Sequence, residues 1–158
     1  MLDEGRHFFG KEEVKRVIEV IPEIDMTGHF QAALAAYPEF SCTPNAKHEV
    51  WTDYSVSTDV LNVANPASME FVKDILDELA DLFPFEYFHI GGDECPTVAW
   101  QNNEQCQQLL ASMGSTNYHD LQTWFFKEIE NHLKTEKTEK TQKIERDLLH
   151  GMRHCLEI

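Results

Sequence analysis

No two cysteines in this chain are separated by two residues. Its four thiols, Cys42, Cys95, Cys106 and Cys155, lie far apart, so neither a paired-cysteine zinc site nor a dithiol redox motif is indicated. Free thiols are the default, with one disulfide left open should the protein be exported. Basic residues are also scarce: 13 Lys and Arg face 28 Asp and Glu, for a net charge of -15. Nucleic acid and anionic membrane surfaces both call for a basic face, and this composition argues against both as partners. No apolar run approaches the roughly 20 residues of a membrane span, and the N-terminus has no signal-peptide pattern. Localisation is therefore not encoded. What the chain does have is 158 residues, 42% hydrophobic and 11% aromatic, enough to bury the core of one domain.

Periodicity predicts alternating strands and helices. Met1 to Phe9 reads as a first strand, with a helical start at Lys11 to Val14. Val17 to Ile24 is a near-continuous apolar run, as in a strand covered on both faces. Phe30 to Tyr37 is Ala-rich and reads as a short helix stopped before Pro38. Ser41 to Ala64 has no period, and so long a loop in a compact domain is either functional or disordered. Asn65-Pro66 is a helix start, with Asn as cap and Pro at the first helical position. Val72, Ile75, Leu76, Leu79 and Phe83 follow at helical spacing. Two more amphipathic helices are predicted, Glu104 to Met113 closed by Gly114, and Tyr118 to Leu133. Lys134 to Arg146 repeats a polar Lys/Thr/Glu pattern and reads as a mobile linker or a solvated helix. Leu148 to Ile158 does not look like another βα unit.

The chemistry-bearing stretch is His89-Ile90-Gly91-Gly92-Asp93-Glu94. Glu86 to Ile90 is aromatic and β-branched and reads as a buried strand. Gly91 and Gly92 end it and allow close approach, which puts Asp93 and Glu94 at its C-terminal end. Catalytic residues of parallel α/β proteins collect at that end. With the run ending at Ile24, the strand forms a right-handed parallel βαβ unit.

This stretch resembles the signature of glycoside hydrolase family 20, the β-N-acetylhexosaminidases. Ile21-Pro22-Glu23-Ile24-Asp25-Met26-Thr27-Gly28-His29 resembles that family's third-strand motif, and Met1 to Phe9 its first strand. The resemblance implies a (β/α)8 barrel and substrate-assisted hydrolysis, an exception among glycosidases in that the substrate's own acetamido oxygen attacks the anomeric carbon. On that pattern Glu94 is the general acid and then the general base. Asp93 orients the acetamido group and stabilises the charge that develops on its nitrogen. Arg6 hydrogen-bonds sugar hydroxyls, which suits a fork-shaped donor, and His29 contacts the acid/base Glu. Asp25 supports its loop, and His89 is a packed, hydrogen-bonded residue. Thr27 stands where the family usually has Pro, which is expected to loosen that turn. Trp100 is placed at the mouth of the site and Trp124 in the core. No metal or cofactor is implied.

The chain departs from the family pattern in two places. A complete barrel takes about 250 residues. The family's second strand, whose Asp would hold His29, is missing between Lys15-Arg16 and the Pro22 strand, and the Trp-Asp-Glu strand expected after Leu133 is replaced by the polar stretch. Truncation, splicing or a frame shift is the simplest account. The expected fold is α/β, a partial (β/α)8 TIM barrel with parallel strands alternating with helices. Residues 1–133 are expected to be a partial catalytic domain and 134–158 a polar tail. The expected function is release of terminal non-reducing N-acetyl-D-hexosamine from β-linked glycans, with this chain alone inactive or nearly so and able to self-associate through exposed barrel edges. The runner-up is a non-catalytic remnant, at most a weak sugar binder; an interaction module unrelated to sugars has little in its favour.

Overall fold

The computed structural model describes residues 22–83, 87–136 and 155–157. The expected first strand, Arg6, and most of the strand ending at Ile24 lie outside the described residues. Helix α1 is Gln31–Ala36, followed by a 3-10 turn at Pro38–Phe40, where Pro38 blocks continuation of the α-helix. Helix α2, Pro66–Leu82, starts as its sequence dictates: Asn65 caps it, its side-chain oxygen accepting from the Ala67 N–H at 3.0 Å, and Pro66 occupies the first turn. Strand β1 is only Tyr87–His89. Three helices follow: α3, Val98–Gln101; α4, Glu104–Ser112; and α5, His119–Glu136. Gly114, at φ +69°, ends the α4 turn in the left-handed conformation that favours glycine. Helix α5 runs three residues past Leu133, so the polar stretch begins as its last turn.

Of the expected parallel βαβ unit, the described residues show one parallel bridge. Ile24 N–H donates to the His89 carbonyl at 2.9 Å and His89 N–H to the Pro22 carbonyl at 3.0 Å, a parallel pairing of Glu23 with His89. The other edge of β1 departs from the all-parallel expectation. Strand β2, Cys155–Glu157, pairs with it antiparallel, with Tyr87 opposite Glu157 and His89 opposite Cys155. A direct antiparallel pairing needs no crossover helix, and within Leu148 to Ile158, where no strand was expected, residues 155–157 form one.

Helices α2 and α4 both pack on α5. Leu76 of α2, Leu121, Phe125 and Ile129 of α5, Ile90 and Met26 are almost completely buried. Of the predicted α2 stripe, Val72 and Leu76 are buried, whereas Ile75, Leu79 and Phe83 are half-buried. Trp100 is fully buried rather than at the mouth of the site, its indole N–H donating to the Leu61 carbonyl at 2.9 Å. Burying about 200 Å² of ring while satisfying the one polar atom is the arrangement a core tryptophan needs. Trp124 packs, partly buried, against the same core.

The loop from Ser41 to Ala64 is held rather than loose. Ser41 and Leu61 form an antiparallel bridge, and Asn62 N–H donates to the Phe40 carbonyl at 2.8 Å. Val60, Leu61 and Val63 are fully buried. Its base is therefore fixed by the core and its middle is left at the surface.

Candidate active site

Two loops meet at the C-terminal end of the paired segments, 25–29 and 91–95. Gly91 is required there, because its φ is +67° and a β-carbon on it would run into the Asp25 carboxylate and lie 2.6 Å from the Asp25 α-carbon. Asp25 uses the proximity: its Oδ1 accepts from the Gly92 N–H at 3.2 Å. Burial raises the Asp25 pKa above the usual carboxylate range, the Gly92 bond works against that, and Asp93 and Glu23 add repulsion. Gly28 lets the loops touch, since a β-carbon there would sit 3.1 Å from the Glu94 carbonyl oxygen.

Thr27 does not loosen this junction. It is completely buried, and its hydroxyl lies 2.9 Å from the Cys95 sulfur, a bond proline has no group to make. Burial raises the Cys95 thiol to about 11, with the Thr27 bond opposing. From the other side Gln122 of α5 donates to the Gly92 carbonyl at 2.8 Å. Gln122 adjoins Leu121 in the buried stripe of α5, and a polar residue beside such a stripe was the one signal in the sequence that pointed to it.

The expected pair His29 and Glu94 is brought together, with Nε2 of His29 3.1 Å from Oε2 of Glu94. Their side chains are 35% and 62% exposed, so solvent reaches both. Among the described residues the other ring nitrogen of His29 has no hydrogen-bond partner. His89 is buried, its Nδ1 lying 2.9 Å from a Glu23 carboxylate oxygen, while its Nε2 has no hydrogen-bond partner among the described residues.

Glu94 borders two adjoining clefts. The larger, about 600 Å³, is lined by Gly92, Cys95, Pro96, His119 and Gln122 beside Glu94 and Val56. The smaller, about 370 Å³, lies between His29 and Asp53 to Val56 of the long loop. That loop thus forms one wall of the smaller cleft. Asp93 is half-buried and lines neither cleft, its charge acting on Asp25 instead. Among the described residues no three His, Cys, Asp or Glu side chains are placed to hold a metal ion.

The chain as a whole is similar to known proteins. The chain is 41% identical over 133 residues to a β-hexosaminidase of Porphyromonas gingivalis, covering 78% of this chain and 17% of that protein. Its structure resembles that of a chitobiase from Flavobacterium johnsoniae, with a TM-score of 0.74, 30% identity, and 81% of this chain and 20% of that one covered. It also resembles an exo-β-N-acetylglucosaminidase of Vibrio harveyi in complex with N-acetylglucosamine, with a TM-score of 0.68, 35% identity, and 81% and 21% covered. These likenesses imply the TIM-barrel class of catalytic domain. The chain spans about a fifth of the length of these proteins. The catalytic-domain model of glycosyl hydrolase family 20 matches residues 14–151, and the chain belongs to that family.

Proposed function

We propose that this chain carries the acid/base half of a site that releases terminal non-reducing N-acetyl-D-hexosamine from β-linked glycans. The observation that carries the reading is Glu94, projecting into an open cleft at the end of a strand while one oxygen meets His29. Glu94 protonates the leaving oxygen as the acetamido oxygen of the substrate closes on the anomeric carbon, and it then takes a proton from the incoming water. Asp93 orients the acetamido group, and Arg6 holds sugar hydroxyls. The names of the relatives and the N-acetylglucosamine bound in one of them support the substrate class. In this reading the chain supplies one arc of a (β/α)8 barrel, residues 1–133 being the catalytic portion and 134–158 a tail that contributes the last turn of α5 and strand β2.

A second reading, a non-catalytic remnant that binds sugar weakly, is favoured by one feature: Asp93 lines neither cleft. A thiazoline analogue of the cyclised intermediate separates the two, because only a catalytic site binds the intermediate better than the product. The catalytic reading expects tighter binding of the thiazoline than of N-acetylglucosamine, weakened in Asp93→Asn. Equal binding of both ligands, unchanged in that variant, supports the remnant.

A further inference from the structure

A cavity of about 430 Å³ opens between the long loop and α3, and it shares no lining residue with the clefts beside Glu94. Trp51 lines it and is 44% exposed. The Trp51 indole N–H donates to the Ser55 carbonyl at 2.9 Å. That bond fixes the ring and uses its only donor, leaving the π-face as what the residue offers a ligand. Behind it lies a rigid polar floor. His48, 4% exposed, has Nδ1 2.5 Å from an Asp59 oxygen and Nε2 2.9 Å from the Thr43 carbonyl oxygen, and the second Asp59 oxygen accepts from the Ser41 hydroxyl at 2.8 Å. Thr58 and the side-chain carbonyl of Asn102 take no part in these bonds and stand at the rim.

We propose that this cavity is a second, non-catalytic saccharide-binding site, in which the Trp51 ring stacks on the C–H face of a neutral pyranose. Its size lies within the about 300–1,000 Å³ of small-molecule sites. A net charge of -15 disfavours an anionic occupant. Thr58 and Asn102 supply the donor and acceptor that ring hydroxyls take. The choice of N-acetylhexosamine as the saccharide rests on the proposed function; the cavity and its aromatic wall do not.

The test is titration of the whole 158-residue chain with N,N′-diacetylchitobiose, followed by the amide and indole N–H resonances. A saturable shift of the Trp51 indole resonance is expected in the unmodified chain and equally in Glu94→Gln. Aromatic contacts of this kind are worth up to about ten-fold in affinity, so Trp51→Ala should weaken binding by about that factor while Trp51→Phe retains most of it. An indole resonance that does not move, or an affinity unchanged in a folded Trp51→Ala chain, overturns the proposal. Shifts at Trp51 with none at Gly92 or Cys95 would uphold this site and count against the catalytic reading alone.

Discussion

His29 and Glu94, 3.1 Å apart through Nε2 and Oε2, are both held at positive φ, +51° and +48°. Neither is glycine or asparagine, and such a conformation costs on the order of 1 kcal/mol or more per residue. Strain of that kind persists only where surrounding structure enforces it, and here it falls on the two side chains that meet at the cleft. Glu94, held in that turn, is 62% exposed and lines both clefts, whereas its neighbour Asp93 lines neither.

Turnover by this chain should be far below the median for enzymes of about 10 per second. Positioning accounts for roughly 7–11 kcal/mol of a barrier, and Asp93 is not in the cleft. Any aryl N-acetyl-β-glucosaminide hydrolysis that remains should fall by about 100-fold or more in Glu94→Gln, since that is what general acid catalysis supplies. A progress curve unchanged in the variant removes Glu94 from the mechanism.

Gly91→Ala should destabilise the chain by about 2 kcal/mol or more. The left-handed conformation alone costs a side-chain-bearing residue roughly 1–2 kcal/mol, and the methyl group also displaces Asp25. Urea unfolding measures the difference, and a midpoint within error of the unmodified chain contradicts the contact.

Asp25 is predicted to separate its charge from its hydrogen bond. Its pKa is raised in the folded chain, so at a pH between the unfolded and folded values the native state holds a proton that the unfolded state has released. Its contribution to stability is therefore greatest in acid, below the unfolded carboxylate value, and is lost as pH rises through the folded value. Asp25→Asn keeps an acceptor for Gly92 N–H and removes that loss, so at pH 7 it should be neutral or stabilising. Asp25→Ala leaves the N–H unpaired, at a cost of about 1 kcal/mol. Denaturation of both variants at pH 4 and pH 7 checks the order.

Cys95 should resist alkylation. With its thiol raised to about 11, the thiolate fraction at pH 8 is about 0.1%, so iodoacetamide should label it at least about ten-fold more slowly than in urea. Mass spectrometry of timed quenches gives the rate. Equal labelling in both conditions would show the Thr27 contact to be open.

Much of this was legible in the residues. Asn65-Pro66 announces the start of α2 because cap chemistry is local, and the Gly91-Gly92-Asp93-Glu94 turn announces a site because glycine and carboxylates there have few other uses. Trp100 was misplaced because its partner, the Leu61 carbonyl, lies 39 residues away, and sequence carries no sign of so distant a bond. Thr27 was misread for the same reason: its value comes from Cys95, on another loop. Glu94 lines the clefts and Asp93 does not, and the positive φ of Glu94 is not something their adjacency reveals. The β2 pairing was hidden because Cys155–Glu157 is too short to show a period.

That pairing has a consequence for the cleft. Every parallel neighbour of β1 would bring its C-terminal end, and the loop that follows, to the rim where Glu94 sits. Strand β2 runs the other way, with Cys155 opposite His89 and Glu157 opposite Tyr87. It therefore presents its beginning at that rim and sends its end to the far side. The backbone on that flank is satisfied, but the flank has the wrong polarity: a lid or sugar-contacting loop there would have to precede Cys155 rather than follow β2.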